Sequence, residues 1–592
     1  MHAHFSIYRK QVEQLIYRYK TDLVFILVFT LIYSVLMAFL WGHTTNHIFF
    51  IDFGRELYIP QQMLKGQLLY KDIFNHFGPL AYQINALLYY IFGVSTNVIY
   101  AAGAVVGYLF TISLYAIARF FVPIRIAIAL AFAMLFVHTL YHNSFIRPYS
   151  FSLAYGIVFI NYSLLATLIY SRSKKINWLY ISSLLYGLAI TSKYEFIGFI
   201  VILAILAYKV RTLSLREWFI CLVSIVCIPL FSLTVLISSG VSFQDLLNTI
   251  DFVIRFAQSD SLNRFYRQTS SFDIRALDIP PLLTKFVSYV GIIFIPVLIV
   301  VKSKYLLLQS IIIKLCLCVA WIGIFVSSIY LVGELFPWLP LFSFITLLFL
   351  LYLSWRRPQN LISKEFILAA SSTTISMKAL FFSNHNVYGV FLTYLPLLLF
   401  LIIGYRVLLQ YIPDPKAPNV YGLSIVAFSF LFYIPTLITT PSIFESSVLN
   451  TEHGPVRIHT KYMDTYLQLV HYIESETQPE DKIIVLPEGQ IINFLTNRDA
   501  DNQLSVLFSP PFIETYGEVR LLNLLDSSKT EYIIIANIPL NGYFNTGKID
   551  KETLPILLGV GYGESILDHI NTRYDKVQTF GQYELFTIYK LK

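Results

Sequence analysis

The sequence predicts a polytopic all-α membrane protein of about thirteen transmembrane helices, followed by a small C-terminal α/β domain. Three observations carry that reading. Of 592 residues, 56% are hydrophobic and only 13% are charged, about half the charged share of a soluble domain. The apolar residues form unbroken, helix-length runs, not the alternating ~10-residue segments of an outer-membrane barrel. The net charge of +8 is also uneven: residues 445–592 hold 12 basic and 20 acidic residues, and those before them 31 and 15. Composition therefore excludes a soluble multidomain enzyme. The 16% aromatic content excludes a disordered chain.

A spanning helix needs ~20 apolar residues. Such runs lie near 22–42, 96–118, 125–141, 149–170, 177–191, 195–210, 217–239, 284–301, 306–330, 335–353, 364–382, 387–404 and 420–440. The first follows Arg9, Lys10, Arg18 and Lys20 and has no small-residue cleavage site, so it is expected to be retained. Arg119 and Arg125, Arg172–Lys175, Lys209–Arg216, Lys302–Lys304, Arg356–Lys364 and Arg406–Lys416 all fall on the side of that basic N-terminus. The opposite loops hold Asp52, Glu56, Asp72, Glu195, Asp245, Asp251, Asp260, Asp273, Asp278 and Glu334. Basic loops stay in the cytoplasm. The expected protein is therefore a multi-pass plasma (inner) membrane protein with a cytoplasmic N-terminus. Its membrane domain is 1–440 and its extracytoplasmic domain 441–592.

Two outside loops, 43–95 and 240–285, exceed the usual loop length. The first holds amphipathic stretches at Arg55–Lys65 and Leu80–Phe92, the second one at Phe243–Phe256. Such helices are expected to lie flat in the membrane interface. In the tail, Lys461–Glu476 and Glu518–Leu525 read as helices. Asp481–Gly489 and Glu531–Ala536 read as buried strands, and Tyr583–Leu591 as an edge strand. Strands alternating with helices imply a partly parallel sheet. Cys221, Cys227, Cys316 and Cys318 all lie in apolar runs and read as packing thiols.

The first long loop is the most informative segment. It reads Phe50-Ile-Asp-Phe-Gly-Arg-Glu-Leu-Tyr58, then Leu64-Lys-Gly-Gln-Leu-Leu-Tyr-Lys-Asp-Ile-Phe-Asn-His-Phe-Gly-Pro-Leu-Ala-Tyr82. Asp52 sits just beyond the first span, and Glu56 follows one helical turn later, on the same face if this segment is helical. A carboxylate at the outer surface can take the proton of an attacking hydroxyl or hold a divalent metal ion. Cations are scarce on that side, which singles out Lys71, Arg147 and Lys193. Each is a candidate for an anionic ligand, although a snorkelling side chain would be tolerated there anyway. His76 reads as a phosphate or acceptor contact or as a local cap, and Glu334 as a weak acceptor contact. Arg255, Arg264 and Arg267 read first as lipid-headgroup contacts.

The residues Gly66, Tyr70, Asp72, Gly78, Pro79 and Leu80, with Asp52 ahead of them, resemble a pattern of the GT-C superfamily of integral-membrane glycosyltransferases. The branch most resembled contains protein O-mannosyltransferase-like, aminoarabinose-transferase-like and rhizobial lipopolysaccharide-type transferases. The layout of about thirteen spans and an outside C-terminal domain is similar to the aminoarabinose-transferase-like members. One departure is plain: the loop after the third span, His142–Ser150, has no acid where the mannosyltransferase-like members place a second one. The resemblance implies an inverting transferase that moves a monosaccharide from a polyprenyl-phosphate carrier to a hydroxyl of a glycan, lipid or protein at the outer face. Asp52 and Glu56 would then be catalytic. Lys193, Arg147, Lys71 and His76 would hold the donor phosphate, and Asp72, Gly78 and Pro79 would shape the loop. No nucleic-acid partner is implied. Two other readings stay open. A transporter or flippase of lipid-linked glycan predicts ionisable groups within the spans, where Lys314 and Lys378 are nearly alone. A non-catalytic scaffold or sensor would act through the acidic tail.

Overall fold

The computed structural model describes residues 2–43, 51–140, 145, 150–199, 214–263, 290–299, 311–329, 338–356, 364–381, 391–412, 414–439, 446–501, 508–528, 530–537, 557–559 and 561–592. Apolar runs too long for a strand become helices: α1 (His2–His43), α4 (Thr96–Ala118), α5 (Ile124–Met134, extended by a π turn Leu135–Thr139), α6 (Phe151–Ser173), α7 (Asn177–Ser192) and α8 (Leu215–Ser238). Between α1 and α4 lie α2 (Ile51–Leu64) and α3 (Leu80–Phe92), and α9 (Phe243–Ala257) follows α8. The later helices are α10 (Val290–Ile299), α11 (Ile311–Ile329), α12 (Trp338–Arg356), α13 (Lys364–Phe381), α14 (Tyr394–Tyr411) and α15 (Ala417–Thr439). Among the described residues, four helices are long and apolar enough to cross a membrane: Lys20–Trp41, Thr96–Ala118, Phe151–Ser173 and Leu215–Ser238. The other expected spans are helical where described, except 195–210. There Tyr194–Phe199 forms a 3-10 turn and the remainder lies outside the described residues.

Hydroxyls and amides tie several of the helices to one another within their apolar runs. Asn161 on α6 donates to Ser113 on α4 (3.0 Å) and accepts from Tyr394 on α14 (2.7 Å). Ser182 on α7 lies 2.8 Å from both Ser163 and Thr167 on α6. Such bonds suit an apolar surrounding, where an unmade one has no water to replace it. At one end of α4, the side chain of Arg119 pairs with Asp22 of α1 at 2.7 Å. At the other end, the backbone N–H of Thr96 donates to the carbonyl of His453, 3.1 Å away in the C-terminal part.

That C-terminal part opens with a hairpin, β1 (Ser446–Thr451) and β2 (Gly454–His459), and then α16 (Thr460–Glu476). Next come β3 (Ile483–Leu486), α17 (Gln490–Thr496), α18 (Pro510–Tyr516), α19 (Glu518–Ser528) and β4 (Tyr532–Ala536). The two-residue strands β5 (Leu557–Leu558) and β6 (Gly561–Tyr562), helix α20 (Glu564–Arg573), β7 (Tyr574–Phe580) and β8 (Phe586–Leu591) complete it. The four-stranded sheet has the order β3-β4-β8-β7, with β3 and β4 parallel and the other pairs antiparallel. The expected edge strand at Tyr583–Leu591 is therefore interior. The edge on that side of the sheet belongs to β7, whose exposed centre Asp575-Lys-Val-Gln578 hides it from an alternation rule.

The loop helices also differ from expectation in their setting. The whole stretch Phe53–Gln62 of α2 is buried, so α2 is covered on every side and does not lie flat on an interface. One side faces the membrane helices, where Phe53 stacks on Tyr100 of α4 at 5.5 Å. The other meets the C-terminal part. A Cβ on Gly54 would lie 2.7 Å from the backbone nitrogen of Ile491 on α17, so only glycine permits this approach. The N–H of Ala500 donates to the Tyr58 hydroxyl (2.7 Å), and Gln62 and Lys65 both donate to Asp499 (2.9 and 2.6 Å).

Candidate active site

The loop between α2 and α3 is shaped by its own side chains. The carboxylate of Asp72 accepts the N–H of Leu68 at 2.8 Å and closes a tight turn. The hydroxyl of Tyr70, a residue with φ +74°, donates to the carbonyl of Phe77 at 2.7 Å. Asn75 accepts from the Phe77 N–H (3.2 Å) and donates to the same carbonyl (2.8 Å). Gly78 then lies directly on the end of α7: an added Cβ would sit 2.2 Å from the carbonyl oxygen of Thr191 and 2.6 Å from that of Ser192. Pro79 stands at the N-cap of α3.

This close approach brings two distant segments together around the Phe77 ring. The Lys193 ammonium lies 4.5 Å from the ring centroid and the Arg55 guanidinium 5.0 Å, both within cation–π range. Lys193 is only 3% exposed. Burial, with help from the cations of Lys378 and Arg55 and against Glu195, pushes its ammonium down to about 8. Glu195 pairs with Lys193 at 3.7 Å, and the same oxygen pairs with Lys378 of α13. His76 sits against Phe77, with ring centroids 4.0 Å apart, and beneath Phe256 and Phe512. Burial and then the charges of Arg55 and Lys193 hold its imidazole well below the usual range, so it is neutral at pH 7. Glu56 is fully buried, accepts a 3.4 Å bond from Tyr82, and supports the charge of Lys193.

The structure thus gathers Glu56, His76, Gly78 and Lys193 from the expected residues. It adds Arg55, Lys378 and Glu195, which sequence reasoning did not place there. Arg55 was visible only as a neighbour of Glu56. Lys378 was visible only as a charge inside an apolar run, 183 residues from its partner Glu195. Lys71 stands elsewhere, exposed and donating to the Gly240 carbonyl at 3.2 Å. Asp52 lies in the first turn of α2, and its side chain is outside the described residues. Arg147, Glu334, Arg264 and Arg267 are also outside them. Arg255 donates to the Thr515 carbonyl of α18 (3.4 Å) and pairs with Asp251. Among the described residues, no group of three His, Cys, Asp or Glu side chains is placed to hold a metal ion.

Fold and site define a class: a helical integral membrane protein with a cluster of cations where the first long loop meets the end of α7. Residues 76–237 match the family model of dolichyl-phosphate-mannose-protein mannosyltransferases. The matched stretch begins at His76 and takes in Gly78, Pro79, Lys193 and Glu195, so the likeness to GT-C glycosyltransferases read in the loop recurs there. No curated protein sequence matches the chain. Among solved structures, the chain is similar to ArnT from Cupriavidus metallidurans bound to undecaprenyl phosphate, with 12% identity, 95% of this chain and 97% of that one covered, and a TM-score of 0.47. It is also similar to the oligosaccharyltransferase AglB from Archaeoglobus fulgidus in complex with an inhibitory peptide and a dolichol-phosphate, with 14% identity, 87% and 70% covered, and a TM-score of 0.45. The Archaeoglobus fulgidus oligosaccharyltransferase in complex with Zn and sulfate gives 13%, 86% and 68%, and 0.47.

Proposed function

We propose that the protein is a glycosyltransferase that moves a monosaccharide from a polyprenyl-phosphate carrier to a hydroxyl acceptor, with inversion, at the outer face of the membrane. The observation that carries this reading is the buried Lys193 at the end of α7, locked onto the motif loop through Gly78 and grouped with Arg55 and Lys378. A phosphate monoanion or dianion is the ligand such a cluster suits, and a membrane-embedded carrier is the donor that delivers one at this depth. The family match over 76–237 supports the same ligand class.

In the proposed reaction the acceptor oxygen bonds to the anomeric carbon as the bond from that carbon to the phosphate oxygen breaks. The electron pair leaves on the carrier phosphate, where Lys193 and Arg55 offset its charge. The acceptor proton passes to a carboxylate of α2, with Asp52 as the base and Glu56 one turn behind it. His76, being neutral, contributes a hydrogen bond and no charge. The loop acids and the C-terminal domain lie outside, and the N-terminus is cytoplasmic. The test is turnover: the purified chain is incubated with a panel of labelled polyprenyl-phosphate sugars and an envelope-glycan acceptor extract. Transfer from at least one donor is expected. Donors that bind without any transfer would favour a carrier-handling protein and overturn the enzyme.

A further inference from the structure

Helices α5 and α15 run parallel and in step, and a groove of about 570 Å³ lies between them. Its floor is at Gly422, where the helices come close enough that an added Cβ would touch Ile126 and Ala129 at 3.5 and 3.6 Å. Arg125 and Asn419 stand together at one end, joined by a 3.3 Å hydrogen bond. Phe136 and Phe430, 4.6 Å apart, close the other end. From Arg125 to Phe136 the groove follows eleven residues of helical backbone, about 16 Å at 1.5 Å per residue. That is about half of a ~30 Å hydrocarbon core, or one leaflet.

The polar end is specific in charge. Arg119 and Arg406, also basic residues of this side by sequence, hold the carboxylates of Asp22 and Glu365. Among the described residues Arg125 is paired with no carboxylate, and its one bond to Asn419 leaves most of its five donors for a ligand. The N-termini of α5 (Ile124) and α15 (Ala417) open at the same end, and their dipoles add to the positive potential. Lys416 is exposed beside them, while Asp414 accepts the backbone N–H of Lys416 at 2.8 Å. Arg125 follows Arg119 by six residues, at the end of α4 opposite the one that contacts His453. We infer that the α5–α15 groove binds one anionic phospholipid of the leaflet opposite the candidate active site, with its phosphate on Arg125 and an acyl chain along Phe132 and Gly422 to the Phe136–Phe430 pair.

Native mass spectrometry of the full chain in detergent tests this without any turnover. Phosphatidylglycerol, phosphatidylcholine and undecaprenyl phosphate are titrated in turn. Phosphatidylglycerol is expected to bind at least ten-fold more tightly than phosphatidylcholine, with the preference lost in Arg125→Gln and kept in Arg125→Lys. Val426→Trp, which fills the groove, is expected to remove the bound lipid at normal yield. Equal binding of the two phospholipids, or a preference that survives Arg125→Gln, would mean ordinary boundary lipid and overturn the proposal. Undecaprenyl phosphate displacing phosphatidylglycerol in an Arg125-dependent way would overturn it too, because the occupant would be the carrier. Failure of the transferase reading leaves all these outcomes unchanged.

Discussion

Burial pushes the Lys193 ammonium down to about 8, and this sets a pH test of the donor site. Below that pH the side chain is charged and can meet a phosphate. As pH rises through it, the proton and the charged hydrogen bond are lost. Such a bond is worth roughly 1.5–3 kcal/mol, about ten-fold or more in affinity. Donor affinity should therefore be level up to pH 7.5 and weaken above 8, with the edge moved upward by the bound anion. Lys193→Arg should keep its affinity at high pH, since guanidinium stays protonated. Affinity that is flat to pH 9.5 in the wild type would take Lys193 out of the phosphate site. Glu56 supports the charge on Lys193, so Glu56→Gln should move that edge to lower pH. Asp52 serves in the other half of the reaction. Asp52→Asn should fold and bind donor normally but transfer sugar roughly 10²-fold more slowly, the scale of a lost general base. Wild-type turnover in that variant would leave α2 as scaffolding.

Among the elements, the motif loop and α7 behave as one piece because Gly78 lies against two carbonyls at the helix end. Backbone cannot swing aside as a side chain can. Gly78→Ala should therefore lower stability by about 1–3 kcal/mol, the usual range for overpacking, and should lower donor affinity with it. A thermal melt in detergent reads the first and a binding titration the second. An unchanged melt would show that loop and helix move independently. The same elements show what a sequence can reveal. The bounds of α3 and α9 were legible because each is amphipathic with a local start, whereas α2 begins at Ile51, four residues before the expected Arg55. Ser242 and Asp245, for instance, form a reciprocal cap at the head of α9. The pairing of Glu195 with Lys378 was not legible, because nothing local ties two residues on different helices. Nor was the covering of α2. Its periodicity indicates an apolar face but not that its polar residues, Gln61 and Gln62 among them, would also be buried against His453 and Asp499. Strand β7 was missed for the opposite reason: an edge strand with a polar centre has no pattern to find.

At the scale of the whole molecule, our proposal puts the C-terminal part outside, on the strength of the charge pattern. Ser527 is exposed on α19, so Ser527→Cys should react with an impermeant thiol reagent in intact spheroplasts. Reaction only after permeabilisation would reverse the orientation and remove the outer-face chemistry with it. The C-terminal part is also seated on α2 through Gly54. Gly54→Leu should unseat it, with faster hydrogen exchange in Gln490–Thr496 and little change in α4 or α6. Unchanged exchange there would mean that the contact at Gly54 does not hold the two parts together.

That seat spans a long stretch of chain: Tyr58 waits for the N–H of Ala500, 442 residues later. At ribosomal speeds of about 5–20 residues per second, the gap is roughly 20–90 s of synthesis. Through that interval α2 exists without the surface that covers it in the finished protein. Gln61 and Gln62 of the helix then lack their later partners His453 and Asp499. The seat of α2 is thus finished late, and a nascent polypeptide carries every residue of the motif loop before that helix is covered.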